Sequence, residues 1–496
     1  MNDEFFLPPN DGDRVWESKP GNEVTLFTDN RKLFYSVLAD LSGADGADDF
    51  AYFVNWWCDV DIPLGDPAAS PSPPLLRSVM TFICRERPDP AANSSQPVPQ
   101  TIMGAQVCGM IWRHKRQHDL AGLPAGMLSL PVSIFGDPWL AAINTAAIKH
   151  IRSCSANSLG ILDGEHRLFG SHHQKFLVVR SRRGLVAYVG STDFNADRIF
   201  AQGGKAKNPP TDRGAPLEDV SCRITGPVCA DVLKTFVDRW KLHDDSKNLA
   251  LRGDGYADPQ ISVGNVSAQV THTYGDGYPF KGGVRSCANA LLRIIRLSSK
   301  YIYFEDQYLI GTNELGAVLR DRLNSNVTFT VVGVMSPIEV VGDLRWLTQR
   351  RSDFWRPLIA AFPGRVMIFE MLNLSRSPSG DGSYLHAKLS ISDDAVAMVG
   401  SMNFSNRSAT HDSEMMVTLT GDSNDADKPT AIAARLRLQR WTRHLGVRPG
   451  EIESISDGLA AWRRPRSTAL VRAWVPSATP LSTVQRQIYE RFFDPA

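Results

Sequence analysis

The chain has 496 residues, 43% hydrophobic and 22% charged, with 54 Lys+Arg against 53 Asp+Glu for a formal net charge of +1. This composition excludes extended disorder, and the near-zero charge supplies no global basic field, so nucleic acid is not an expected partner. The length exceeds that of a usual single domain and makes two domains or a duplicated fold the natural expectation.

The opening segment Met1–Asn10 carries acidic residues where a secretory leader needs basic ones. No run of about 18 apolar residues occurs, so no transmembrane segment is expected, and a lipid substrate would be met at a surface. The seven cysteines are scattered, odd in number and without a Cys-x-x-Cys pair. They read as reduced, buried thiols folded in the cytosol, not as a disulfide framework or zinc site.

Periodicity in the first half predicts strand Glu23–Asp29, helix Lys32–Leu41, strand Phe50–Trp57, helix Leu75–Arg87, strand Thr101–Trp112 and helix Ala141–Arg152. Two Pro/Ser-rich stretches, Asp66–Pro74 and Arg87–Gln100, read as surface loops. The Gly/Asp-rich stretch Leu251–Gly264 marks the domain boundary, giving an N-terminal half 1–255 and a C-terminal half 256–496. The second half continues with strand Val266–Thr273, helix Ser286–Ser298, strand Tyr301–Leu309, helix Glu314–Asn324, strand Val327–Val334, helix Leu344–Ala361 and strand Arg365–Met371. Strands alternating with helices make this an α/β chain.

The two halves end alike. The first closes with Ser-His-His-Gln-Lys-Phe-Leu-Val-Val (171–179), Gly-Ser-Thr-Asp-Phe-Asn (190–195), an acidic strand Glu218–Ile224 and helix Val228–Trp240. The second closes with Leu-His-Ala-Lys-Leu-Ser-Ile-Ser-Asp (385–393), Gly-Ser-Met-Asn-Phe-Ser (400–405), an acidic strand Asp412–Leu419 and helix Thr430–Trp441. A lone His-x-Lys arises by chance; the whole series twice, in one order, reads as an internal duplication.

Residues two apart on a strand share a face, so His173 with Lys175 and His386 with Lys388 each present an imidazole beside an ammonium. That pairing suits a phosphodiester, because lysine neutralises non-bridging oxygens while a histidine attacks phosphorus or carries a proton. Two such pairs supply a nucleophile and an acid. Gly400 and Ser401 would approach the phosphate closely with Asn403 as amide donor, and Gly190, Ser191 and Asp193 are their counterparts. An ionised Asp193 cannot donate, so the two copies are not identical in role. Glu218/Asp219 and Asp412/Glu414 are candidate orienters of the histidines, and the residues alone do not say which faces which ring. His166, His243, His272 and His444 read as structural histidines, Trp240 and Trp441 as core, and Arg180, Arg182 and Arg183 as a solvated hairpin tip.

The second block resembles the HKD motif of the phospholipase D superfamily, His-x-Lys, four residues, Asp, six residues, Gly-Ser-x-Asn, with His386, Lys388, Asp393, Gly400, Ser401 and Asn403 at every spacing. Asn-Phe-Ser-Asn-Arg-Ser (403–408), Asp-Ser-Glu (412–414), Tyr-Phe-Glu-Asp-Gln-Tyr-Leu (303–309) and Asn-Trp-Trp (55–57) are similar to flanking motifs of the eukaryotic-type phospholipases D, the last two standing for Tyr-Ile-Glu-Asn-Gln-Tyr-Phe and Asp-Trp-Trp. The resemblance, over residues 20–446, implies two similar α/β/α halves about a pseudo-twofold axis with the site at their interface. It implies that His173 attacks phosphorus, that His386 protonates the leaving alcohol, and that the orienters are crossed, Glu414 serving His173 and Asp219 serving His386. It also implies that no metal or cofactor is needed. The first block departs from the motif, having Arg180 at the position of its Asp and 14 residues between Lys175 and Gly190 against 11 between Lys388 and Gly400. The expectation is that the longer turn through Arg182–Gly184 replaces the brace that the Asp supplies.

The function so implied is hydrolysis of the head-group phosphodiester of glycerophospholipids to phosphatidic acid through a phosphohistidine, with transfer to an added alcohol as a side reaction. The alternatives are a nuclease or another phosphodiesterase or phosphatidyltransferase of the superfamily, and a binding module with a degenerate site, which two intact His-Lys pairs argue against. The chain is expected to be a monomer and cytoplasmic as synthesised, with leaderless secretion as a toxin effector or peripheral membrane association left open. The tail Val447–Ala496 is expected to pack back on the body.

Overall fold

The computed structural model describes residues 3–65, 72–88, 101–113, 138–167, 170–199, 217–257, 261–338, 345–372, 384–422, 431–477, 481–492 and 494. Most of the two Pro/Ser-rich stretches, at 66–71 and 89–100, lies outside these residues. The described part of the second, Arg87–Pro88, pairs with Thr101–Ile102 as a short two-stranded ribbon.

A 16-stranded sheet runs through the described residues, one of its strands being the two-residue Val284–Arg285, which pairs to the side with Thr273–Tyr274. The first half supplies β1 (Lys19–Phe27), β2 (Phe50–Asn55), β3 (Gln106–Trp112), β4 (Leu159–Asp163), β5 (Phe176–Ser181), β6 (Gly184–Gly190) and β7 (Ser221–Thr225), side by side in the order β1-β7-β6-β5-β2-β3-β4. The second half supplies β8 (Val266–Tyr274), β9 (Tyr301–Asp306), β10 (Thr330–Met335), β11 (Val366–Met371), β12 (Lys388–Ser392), β13 (Val396–Gly400) and β14 (Glu414–Gly421), in the order β8-β14-β13-β12-β9-β10-β11. The strand order is the same in both, and so is the strand sense: β2-β3-β4 and β9-β10-β11 are parallel and the other neighbours antiparallel. The halves join where β1 and β8 pair antiparallel, Lys19 opposite Ala268 and Asn22 opposite Val266. The chain is therefore one topology written twice, continuous through a central pair of like strands.

Helices cover both faces. Side chains alternate along β2, so Tyr52 and Val54 enter one apolar cluster and Ala51 and Phe53 another. The first cluster extends under both halves and is closed by α4 (Cys229–Trp240), α9 (Ile432–Leu445) and α10 (Ile455–Arg463). On the opposite face α1 (Asn30–Ser42), α2 (Leu76–Cys84) and α3 (Pro138–Cys154) cover the first half, while α5 (Ser286–Leu297), α6 (Asn313–Ser325) and α7 (Arg345–Ala361) cover the second. Central strands buried on both sides carry near-continuous apolar runs such as Phe176–Val179 and Val396–Val399. Trp240 and Trp441 are core residues, as their sequence context suggests.

Several ends differ from the sequence reading for local reasons. The strand expected to reach Leu309 stops at Asp306, whose side chain accepts the backbone N–H groups of Tyr308 and Leu309 and turns the chain out of the sheet. Strand β4 gave only a five-residue signal, Leu-Gly-Ile-Leu-Asp, and was not anticipated. The tail packs back: β15 (Val471–Ala473) extends the sheet beyond β11, Trp462 lies against Phe369 at 4.9 Å, and Asp494 caps α8 (Asn406–Thr410) by accepting the Arg407 N–H. All seven cysteines are free, six buried and Cys154 half-buried. No helix among the described residues is long and apolar enough to cross a membrane.

Candidate active site

Each His-x-Lys pair lies on the extended segment entering the middle strand of its half, β5 or β12, and only Lys388 falls inside a strand. The two segments meet across the seam between halves through two matching bridges. His172 bridges Ser413, with His173 N–H donating to the Ser413 carbonyl at 2.9 Å; Leu385 bridges Glu218, with His386 N–H donating to the Glu218 carbonyl at 2.7 Å. The residue after each bridge partner is an acid, and it holds the other half's histidine. His173 Nδ1 lies 3.0 Å from Glu414, and His386 Nδ1 lies 2.7 Å from Asp219.

With Nδ1 held by a carboxylate, Nε2 is the free nitrogen of each ring. The histidines are each 7% exposed, while Lys175 and Lys388 behind them are 2% and 0%, so an entering group reaches the imidazoles first. Both ammonium groups donate to the carbonyl of their own histidine. Trp56, itself stacked on Trp112, presents an edge to His173 at 6.3 Å, and Tyr384 lies 6.2 Å from His386.

The electrostatics differ between the halves. Burial, then Lys175 and Lys388, hold His173 well below its ordinary value; burial and Lys388 do the same to His386, opposed by Asp219. Burial pushes Lys388 down to about 7 against the opposing carboxylate of Asp306, and also lowers Lys175. Burial works to raise Asp219, but Arg198 and His386 outweigh it and keep it below the usual carboxylate range. Burial and Asp412 instead push Glu414 up.

Three sequence expectations need correction. Ser191 and Ser401, expected as phosphate contacts, have their hydroxyls committed to the orienters, donating to Asp219 at 2.7 Å and to Glu414 at 2.5 Å. Gly190 and Gly400 serve strand contact, since a Cβ would stand 2.0 Å from Ser221 Oγ at the first and 2.2 Å from the Met415 carbonyl at the second. Arg180 is not a solvated tip residue, and it, not the longer turn, stands in for the brace of the missing Asp. It reaches Asp49 at 2.8 Å, just before β2, whereas Asp393 accepts from the N–H groups of Ser299, Lys300 and Tyr301, just before β9. The same junction is braced in both halves with the charge reversed.

Asp193 and Asn403 also part company. Asp193 accepts the Trp56 and Trp57 N–H groups and lies 3.5 Å from Lys175 Nζ, whereas Asn403 is 2% exposed with an Oδ1 that meets no donor among the described residues.

Two buried clusters escaped the sequence reading. Arg239 forks onto Asp163 at 2.5 and 2.9 Å, joined by His172 at 2.8 Å and His243 at 3.3 Å, and donates to the Ser413 hydroxyl at 3.1 Å. Arg440 lies 2.8 Å from Glu305, joined by His444 at 2.9 Å, and donates to Glu218 at 3.2 Å. Each arginine grips the residue of the other half that bridges to its own half's histidine segment. The signal was present as Arg-Trp-x-x-His at 239–243 and again at 440–444.

A family model described as "Cardiolipin synthase, PLD-like domain" matches residues 291–435. Phospholipase D B of Dictyostelium discoideum is 25% identical over 246 residues, covering 41% of this chain and 20% of that protein. Phospholipase D zeta 1 of Arabidopsis thaliana is 41% identical over 83 residues, 15% of this chain and 8% of that protein, and phospholipase D alpha 1 of Nicotiana tabacum 21% over 406 residues, 56% and 49%. The chain thus matches about a fifth of the length of the first relative and about half of the last. Among solved structures, a phosphatidylserine synthase of Haemophilus influenzae Rd KW20 aligns with a TM-score of 0.49 at 12% identity, over 83% of this chain and 85% of that one.

Proposed function

Because the chain belongs to the phospholipase D superfamily, we propose that it is a phospholipase D-type phosphodiesterase, hydrolysing the head-group phosphodiester of glycerophospholipids to phosphatidic acid. The observation that carries the proposal is the pair of crossed His–carboxylate contacts, His173 with Glu414 and His386 with Asp219.

In this reading Nε2 of His173, neutral because of its burial among cations, attacks phosphorus while its Nδ1 keeps the ring proton and donates it in a hydrogen bond to Glu414. The P–O bond to the head group breaks, and His386 delivers its Nε2 proton to the departing alkoxide. A bound phosphate anion raises His386 toward the protonated form that this step needs, and Asp219 stabilises the resulting imidazolium. His386 then takes a proton from water, whose oxygen attacks the phosphohistidine and returns Nε2 of His173. Lys175, Lys388 and the Asn403 amide carry the charge of the non-bridging oxygens. An alcohol in place of water gives transfer instead of hydrolysis.

The test is incubation of wild type and His173→Ala with mixed phospholipid vesicles, with and without a primary alcohol, and separately with DNA and RNA. Phosphatidic acid from wild type alone, and phosphatidyl alcohol when alcohol is present, are expected. Cleavage of nucleic acid alone would overturn the lipid substrate, and equal activity in the variant would overturn the nucleophile.

A further inference from the structure

Superposing the two halves by strand position pairs Asn55 with Asp306, each the last residue of its strand, and Asp193 with Asn403, each three residues after the glycine of its block. Asp306 is in register with Lys388, and the pairing of Val54 with Phe176 sets Asn55 level with Lys175. Each half thus fills the same two positions, one level with its lysine and one three residues after its glycine, with one carboxylate and one amide. In the first half the carboxylate is Asp193, 3.5 Å from Lys175 and 3.4 Å from Arg198 and accepting the N–H groups of Trp56 and Trp57, while Asn55 Oδ1 meets no donor among the described residues. In the second half the carboxylate is Asp306, accepting from Tyr308, Leu309 and Phe404, and the amide is Asn403.

Both carboxylates are fully buried. A buried ammonium keeps its proton only beside a compensating anion, so each half-site needs a carboxylate at its lysine. The chain meets this requirement from opposite sides of the two half-sites, as it meets the brace before β2 and β9 with Arg180–Asp49 in one half and Asp393 in the other.

We infer that Asp193 and Asp306 are equivalent positioning residues, each the counter-ion of its catalytic lysine, and that the carboxylate and the amide are interchangeable within a half-site. The inference rests on the proposed phosphodiesterase reading for its catalytic consequence, but not for its structural one.

The experiment compares Asp193→Asn with the exchange Asn55→Asp/Asp193→Asn, and Asp306→Asn with Asp306→Asn/Asn403→Asp. Two readouts are taken: cleavage of bis-p-nitrophenyl phosphate, a diester that needs no lipid recognition, and the urea unfolding midpoint. Each single variant is expected to lose roughly 10- to 100-fold in kcat/KM, as when a supporting partner is removed. Its alkaline limb is expected to move to lower pH, because the lysine gives up its proton more easily. Each exchange is expected to regain most of the rate, the original limb and the midpoint. An exchange no better than its single variant in midpoint and rate overturns the inference. If wild type leaves the diester intact, the phosphodiesterase reading fails while the midpoints still decide the exchange.

Discussion

Replacing Arg440 with Met removes the cation that two carboxylates share. Arg440 Nε stands 2.8 and 3.0 Å from the oxygens of Glu305, and Nη2 stands 3.2 Å from Glu218. Glu218 keeps Arg443 at 2.7 Å, but Glu305 is 0% exposed and retains only His444 and the Tyr303 hydroxyl. Breaking a buried pair from one side costs about 3–5 kcal/mol, and the surviving partners place this loss near the lower figure at pH 7. Its pH dependence is diagnostic. In wild type burial works to raise Glu305, but Arg440 and His444 overcome it and hold the group below the usual carboxylate range. A depressed carboxylate contributes stability that is complete above its unfolded value, about 4.3, and is lost only as pH falls below that. In the variant burial dominates, so the folded state holds a proton the unfolded state lacks. Its stability then rises as pH falls toward the unfolded value, by about 1.4 kcal/mol per unit. Urea unfolding followed by tryptophan fluorescence, between about pH 7 and about pH 5, should show the gap to wild type narrowing. A gap that stays constant or widens would refute the role of Arg440 as the counter-ion of Glu305.

Asp219→Asn should lower kcat by about 10²–10⁴-fold, since the His386 ring loses the anion that fixes its tautomer, and should lower the unfolding midpoint as well, since Arg198 loses a buried partner; a rate within a few-fold of wild type would contradict the crossed pairing. The kcat/KM profile should fall on the alkaline side from about pH 7, where the buried Lys388 of the free enzyme loses its charge, and the limb in kcat should lie higher because bound phosphate holds the proton. Coincident limbs would remove Lys388 from phosphate binding. Arg180→Asp sets two carboxylates against each other at a partly exposed site and should cost about 1–3 kcal/mol, recovered in part by adding Asp49→Arg. An unchanged midpoint in the single variant would show that the brace carries no stability.

How much was legible in the sequence follows from where each signal lies along the chain. The α/β pattern and the duplicated block were visible because apolar periodicity and His-x-Lys spacing are local. Which carboxylate faced which ring was left open by the residues themselves, because the contact crosses the seam and joins positions 241 residues apart for His173 and Glu414. Ser191 and Ser401 were read as phosphate contacts because a hydroxyl beside glycine suits that role, but the folded strands aim them at the orienters. Arg180 looked like a surface residue because its partner, Asp49, is distant in sequence. The Arg-Trp-x-x-His repeat is local and readable, but the carboxylates that its arginines grip, Asp163 and Glu305, lie 76 and 135 residues away, so its role is visible only in the fold.

The matching bridges His172–Ser413 and Leu385–Glu218 mean that each half carries one imidazole and lends the other half its orienter. Damage along the seam therefore loosens both imidazoles together. A chain cut between the halves would leave two fragments, each with a histidine whose Nδ1 is unclaimed, and recovery of activity on mixing them would measure the affinity of the seam itself.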